Sequence, residues 1–428
     1  MKTRLLSLFN IRRQELAPVL VAALFFFCVL TALMLLRPAR DALGMERGIE
    51  SVRWLFMGTA VVTLFANPLF SLLVSRYRRM QFISATYGFF AVSLLGFYAL
   101  LLLAPTAVGQ VSGQVFYVWF SVFNLFVTML FWALMADRFS LDQGKRFFPL
   151  IAVGGTLGAI FGPWLASRLA EPMGTPFLLL VSVGFLGLAI ALAWTVARLQ
   201  PEAAAAGDGV DAPPAVNENA VIGGSAWQGL RAVLGSRYLL GIAGYVLVLS
   251  VMVTFIYFTR LQMVAALGED LDLRTSWLAR IDMYTQIATL ALQAVLAGHL
   301  IRRLGMPLTL ALLPLTAALG FIGLALMGSL AALIVFDAVF RAVQRAIMRP
   351  ARETLFTVVS REDKYKAKAF IDTFVYRGGD VLGAQTEGVL TRLGMGLYAL
   401  AGAAVPIAVA WAALGFWLGR RQARLAQG

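Results

Sequence analysis

Long apolar runs, broken by short polar or basic segments, repeat along the whole chain. A membrane-spanning helix needs about 20 mainly apolar residues. Twelve runs qualify, at 16–36, 54–74, 82–103, 115–136, 148–168, 176–197, 238–260, 277–300, 307–327, 330–355, 367–391 and 397–418. Gly/Pro-bearing breaks such as LAPTAVGQVSGQ (103–114) and EPMGTPF (171–177) separate neighbours. The first run is too long for a signal-peptide core and has no small-residue cleavage site behind it, so we expect it to be retained. Between runs six and seven lies PEAAAAGDGVDAPPAVNENAVIGG (201–224), rich in Ala, Gly, Pro and acids and without apolar periodicity, which predicts a flexible cytoplasmic linker. SAWQGLRAVLGS (225–236) predicts a short interfacial helix after it.

Composition supports the same solvent. Hydrophobic residues make up 60% of the 428 and charged residues 14%, against about 45–50% and about 25% in soluble domains. The chain reads as an integral membrane protein. Its net charge of +14 is then topogenic rather than a nucleic-acid footprint. Of the 36 Lys and Arg residues, 22 fall on one set of alternate loops, eight on the other and six inside the runs. A Lys/Arg excess marks the cytoplasmic side, which places both termini there.

The chain divides six runs against six, and the two parts echo each other. ADRFSLDQGKRFFPLIAVGGTLGAIFG (136–162) and TVVSREDKYKAKAFIDTFVYRGGDVLGAQ (357–385) each carry Ser, an acid, a basic cluster, Gly-Gly and Leu-Gly-Ala. Duplicated halves of this kind build the major facilitator superfamily fold. We therefore expect an all-α protein with an N-terminal six-helix bundle (1–200), the linker (201–224) and a C-terminal six-helix bundle (225–428). Small residues in runs five and eleven would let helices approach closely.

Charges at membrane depth are costly and usually face a cavity or a partner. Run ten, FDAVFRAVQRAIMRPARETLF, holds Asp337, Arg341, Arg345, Arg349 and Arg352 at steps of four, four, four and three, with Glu353 at the edge. At about 100° per residue these fall within roughly a 120° stripe. Guanidiniums grip phosphate and carboxylate bidentately, so an anionic solute is one reading; structural ion pairs with neighbouring acids are the other. Run eight supplies Arg280 and Asp282, and run eleven Asp372, Arg377, Asp380 and Glu387. Of these, Arg280, Asp282, Asp372, Arg377 and Asp380, with Glu353 of run ten, are candidates for gating or coupling, or for helix–helix ion pairs. Asp137, beside Arg138 at the end of run four, fits a cytoplasmic gate pair. RPARDAL (37–43) places Arg37 and Arg40 on one face with Asp41 near, at what reads as an outer end of run one; anchoring and gate pairing both fit.

Enzyme readings find no support: no Gly-x-Ser-x-Gly elbow, no P-loop and no His beside a nucleophile occurs. Cys28 and His299 are the only residues of their types, too few for a usual metal site, and no cofactor is implied.

The stretch RPARETLFTVVSREDKYKAKAFIDTFVYRGGD resembles the ATP/ADP translocase (nucleotide transporter) family of plastids and intracellular bacteria. The resemblance lies in Arg352-Glu353 followed by Glu362, Lys364, Lys366, Lys368, Ala369, Ile371 and Asp372. FWALMAD (131–137), GKRFFPLI (144–151), LRPARDAL (36–43) and YLLG (238–241) extend it over most of the chain. It implies a facilitator-like fold and exchange of nucleotides or related phosphorylated anions, with Arg37, Arg40, Asp137, Lys366 and Lys368 at functional positions. The chain departs from the exchangers in run seven, where Tyr257 stands in place of an acid.

Together these readings predict a secondary transporter working by alternating access on a small anionic solute such as a nucleotide. Arg37, Arg40, Arg341, Arg345, Arg349, Arg352, Lys366 and Lys368 are the substrate candidates. A proton-coupled transporter of another organic solute and a non-transporting membrane scaffold or sensor are the alternatives. The lipid bilayer is its environment, and a bacterial inner (plasma) membrane its expected location.

Overall fold

The computed structural model describes residues 13–76, 79–104, 106–199, 226–295 and 297–426. The expected linker lies outside them, as do the side chains of His299, Glu362 and Lys364. Six helices come first: α1 (Arg13–Gly44), α2 (Ile49–Arg76), α3 (Arg79–Leu103), α4 (Thr106–Arg138), α5 (Leu141–Met173) and α6 (Thr175–Leu199). After the short α7 (Ala226–Gly235) come α8 (Arg237–Ala265), α9 (Leu271–Val295) and α10 (Ala297–Met327). The next two segments are interrupted. One runs through α11 (Leu330–Val343), a π-turn (Gln344–Met348), α12 (Arg349–Thr354) and a 3-10 turn (Leu355–Val358). The other is α13 (Arg361–Phe370), a π-turn (Ile371–Val375) and α14 (Tyr376–Arg392). α15 (Leu397–Leu425) ends the chain, and no strand occurs among the described residues.

Local chemistry sets several boundaries. Ser140 opens α5 with a capping box: its hydroxyl accepts from the Gln143 N–H, while the Gln143 side chain accepts from the Ser140 N–H. The expected break at 171–177 shrinks to Gly174, whose φ of 84° suits glycine. The break at 103–114 likewise narrows to a few residues before Thr106, and α4 runs through its glycines and glutamines. RPAR at 37–40 lies inside α1 rather than at its end, because the helix continues to Gly44.

Nine described helices are long and apolar enough to cross a membrane. Of the remaining long segments, 271–295 is too polar, while 330–358 and 361–392 are divided by the π-turns into helices too short to span alone.

The elements gather into two compact units, residues 1–209 with 265–283, and 210–264 with 284–428. In the first, α1 packs against α4, α5 and α6. A Cβ on Gly154 would stand 2.1 Å from the Ala23 carbonyl oxygen, and one on Gly158 2.3 Å from that of Phe27. Only glycine permits this approach of α5 to α1. The aromatics of α4 fill the core: Phe131 stacks on Phe26 at 4.1 Å and Trp119 on Phe123 at 5.2 Å. In the second unit α10 packs on α15 and α7 on α13. Gly379 and Gly383 of α14 meet Ser250 and Thr254 of α8, where a Cβ would lie 2.7 and 2.9 Å away. The fifth long helix of each unit thus packs on the first through glycines four residues apart.

Candidate functional site

The second unit holds a cavity of about 420 Å³ lined by Leu249, Gln344, Arg345, Met348, Arg349, Arg352, Asp372 and Tyr376. The volume is within the range of about 300–1,000 Å³ usual for small-molecule sites. Both π-turns border it. Gln344, Arg345 and Met348 belong to the first, Asp372 to the second, and Tyr376 follows the second directly. A π-turn inserts an extra residue into a helical turn and re-aims the side chains beyond it. In an unbroken α-helix each four-residue step drifts by about 40°, so Arg341, Arg345 and Arg349 would fan outward. The wider turn interrupts that drift.

The arginine stripe divides into separate environments. Arg341 donates to the fully buried Asp337 at 2.6 Å, and the Thr285 hydroxyl donates to the other oxygen of that carboxylate at 3.5 Å. Arg341 is therefore neutralised within its own helix and does not line the cavity. Arg345 donates to the Gln286 side-chain oxygen. Arg352 pairs with Asp372 at 3.2 Å and reaches Glu353 at 3.8 Å. Arg349 is exposed to the cavity and has no acid within ion-pair distance among the described residues.

Other candidates fall outside the cavity lining. Lys368 pairs with Glu353. Lys366 lies half-buried on α13, where its carbonyl approaches Gly229 of α7. Arg377 pairs with the buried Asp380 at 3.2 Å, and Asp380 accepts from Ser250 at 2.5 Å. Glu387, also buried, accepts from Gln262 and from the Thr391 hydroxyl. Tyr376, Met348 and Leu249 were not marked by the sequence, since an apolar or aromatic residue within an apolar run carries no signal of what it faces.

The first unit holds its own cluster. Arg40 bonds Asp41 at 2.9 Å through Nε, and its guanidinium lies 4.6 Å from the Tyr117 ring centroid and 5.2 Å from that of Phe120. Asp41 is fully buried. Arg37 faces Asp282, itself buried, at 3.6 Å. Arg280 points elsewhere, pairing with Glu171 at 3.4 Å over the Trp277 ring. Asp137 is half-buried beside the buried Arg138. Just beyond α1, burial raises the Glu46 carboxyl above the ordinary range, partly offset by Arg274.

No family model matches the sequence, and comparison with curated proteins returned no match. Solved structures do resemble it. A mutant of the nucleoside transporter NupG superposes with a TM-score of 0.65 at 12% identity, over 95% of this chain and 99% of that one. An auto-inhibited POT family peptide transporter gives 0.63 at 12% identity, over 93% and 96%. A bacterial homologue of the human lysosomal transporter Spinster, inward-facing and unoccupied, gives 0.60 at 13%, over 97% and 98%. These likenesses span nearly the whole of each chain, and together with the apolar helices they establish the architecture. The protein is a multi-pass integral membrane protein with the major facilitator superfamily fold.

Proposed function

We propose that the protein is a secondary transporter of a phosphorylated organic anion, working by alternating access, with nucleotide exchange as its form. One observation carries the reading: among the described residues, the cavity of the second unit gathers three guanidiniums against one carboxylate. Arg349 is free to take a ligand, and Arg352 can exchange Asp372 for substrate oxygens. Guanidiniums bind phosphate through paired N–H donors, and Tyr376 offers a ring and a hydroxyl beside them. The resemblance of the 352–372 stretch to nucleotide translocases supports the same class of cargo. On this reading Arg37–Asp282 and Arg40–Asp41 are gate pairs, and residues 201–224 tether the two halves.

Vesicles reconstituted with the protein and loaded with ADP are expected to take up labelled ATP, and to stop when the counter-substrate is omitted. Absence of uptake with every nucleotide and phosphorylated counter-substrate would overturn the proposal. The buried carboxylates Asp380 and Glu387 favour a second reading, in which a proton drives transport of another solute. Solute uptake that collapses with the proton gradient and needs no counter-substrate would select it.

A further inference from the structure

A second cavity, of about 820 Å³, opens where the start of α8, the 3-10 turn after α12 and the last turns of α15 meet. Arg237, Arg420, Arg421 and Arg424 line it, and among the described residues no acidic one does. All four are exposed, and among the described residues none forms an ion pair. Arg420 lies over the Phe416 ring at 4.3 Å. Trp417 and Leu425 add an apolar wall and are themselves part-exposed.

Basic residues at a helix end complement the helix dipole and can serve topology alone. Neither role requires gathering them around a hollow from two separate helices. The hollow is built in place: Gly241 of α8 receives Trp417 so closely that a Cβ would lie 2.6 Å from its ring. Tyr238 fixes the third element by donating to the Leu355 carbonyl at 2.9 Å. Arg420 and Arg424 are four residues apart on one face of α15, with Arg237 presented from α8. This end of the bundle is the one whose charge pattern predicts cytoplasmic exposure. Guanidiniums with no ion pair among the described residues, beside an aromatic at the polar–apolar boundary, match an anionic lipid headgroup.

We propose that this cavity binds the phosphodiester headgroup of an anionic phospholipid. Four guanidiniums, two to each phosphate, suit a diphosphatidyl headgroup, with the acyl chains running along the Trp417 side. The site is separate from the cavity bordered by the π-turns, so it stands whether or not that cavity carries nucleotides.

The full-length purified protein is titrated with phosphatidylcholine alone and with added cardiolipin, following Tm and lipid retention by native mass spectrometry. Cardiolipin is expected to raise Tm and remain bound. Arg421→Gln/Arg424→Gln should weaken retention by about fivefold per guanidinium removed, while Arg198→Gln, at an exposed site on α6, should not. Should the double variant fail to fold, the single Arg424→Gln carries the same comparison. Equal retention by wild type and variant, or equal loss in Arg198→Gln, would overturn the site. Inorganic phosphate without lipid separates the two sources of the same chemistry. A Tm shift by phosphate that cardiolipin does not exceed would overturn the lipid assignment.

Discussion

Arg341 and Arg349 are eight residues apart in sequence and look alike in it, yet they have different surroundings. Arg341 neutralises the fully buried Asp337. Removing it leaves a buried unpaired charge, which costs about 3–5 kcal/mol. Arg341→Ala is therefore expected to lower Tm sharply. Arg349→Ala should leave Tm nearly unchanged and reduce uptake at subsaturating substrate by about ten- to a hundredfold, the loss of one charge-assisted contact. Arg349→Lys should recover only part, since an ammonium lacks the planar fork. Unchanged uptake in Arg349→Ala would remove this residue from the site. The spacing of the stripe was plain in the sequence. Which arginine has an acid to spend itself on was not, because Asp372 lies on another helix and Asp337 sits in the same one.

At the scale of elements, the helices and their order could be read from hydrophobicity, and the glycine pattern in runs five and eleven predicted close packing. The structure sharpens that pattern. Gly154 and Gly158 match Gly379 and Gly383, each pair set against the first long helix of its unit. Gly158→Ala is expected to destabilise by about 1–3 kcal/mol, the usual cost of overpacking. Its Cβ would meet a backbone oxygen that cannot swing away. Gly187→Ala, on α6 with open space around it, should be neutral or stabilising by up to about 1 kcal/mol through helix propensity. Thermal melts of the two variants in the same detergent test the contrast, and similar melting points would refute it. The two π-turns were not legible. A periodicity argument assumes a constant turn, and a single added residue leaves no mark in composition.

For the whole molecule, the charge bias predicts both termini on the cytoplasmic side. Cys28 is the only cysteine and is buried, so a Cys28→Ser background makes the test clean. In intact cells a membrane-impermeant thiol reagent should label Glu269→Cys, between α8 and α9, and spare Ala426→Cys until the membrane is opened. The reverse labelling would invert the topology.

The sequence by itself determined the solvent and the order of the helices. These follow from properties summed along contiguous residues, namely the length of apolar runs, loop charge and glycine spacing, and each needs only local chemistry. The tertiary structure alone decided which charges are satisfied and which remain available. It paired Arg352 with Asp372 and Arg37 with Asp282, closed Trp119 and Phe131 into the core, and gathered Arg237 with Arg420, Arg421 and Arg424. Partnership between residues far apart in the chain depends on how helices are rotated and stacked. A buried charge is settled by what stands opposite it, and that is a property of the fold rather than of any stretch of sequence.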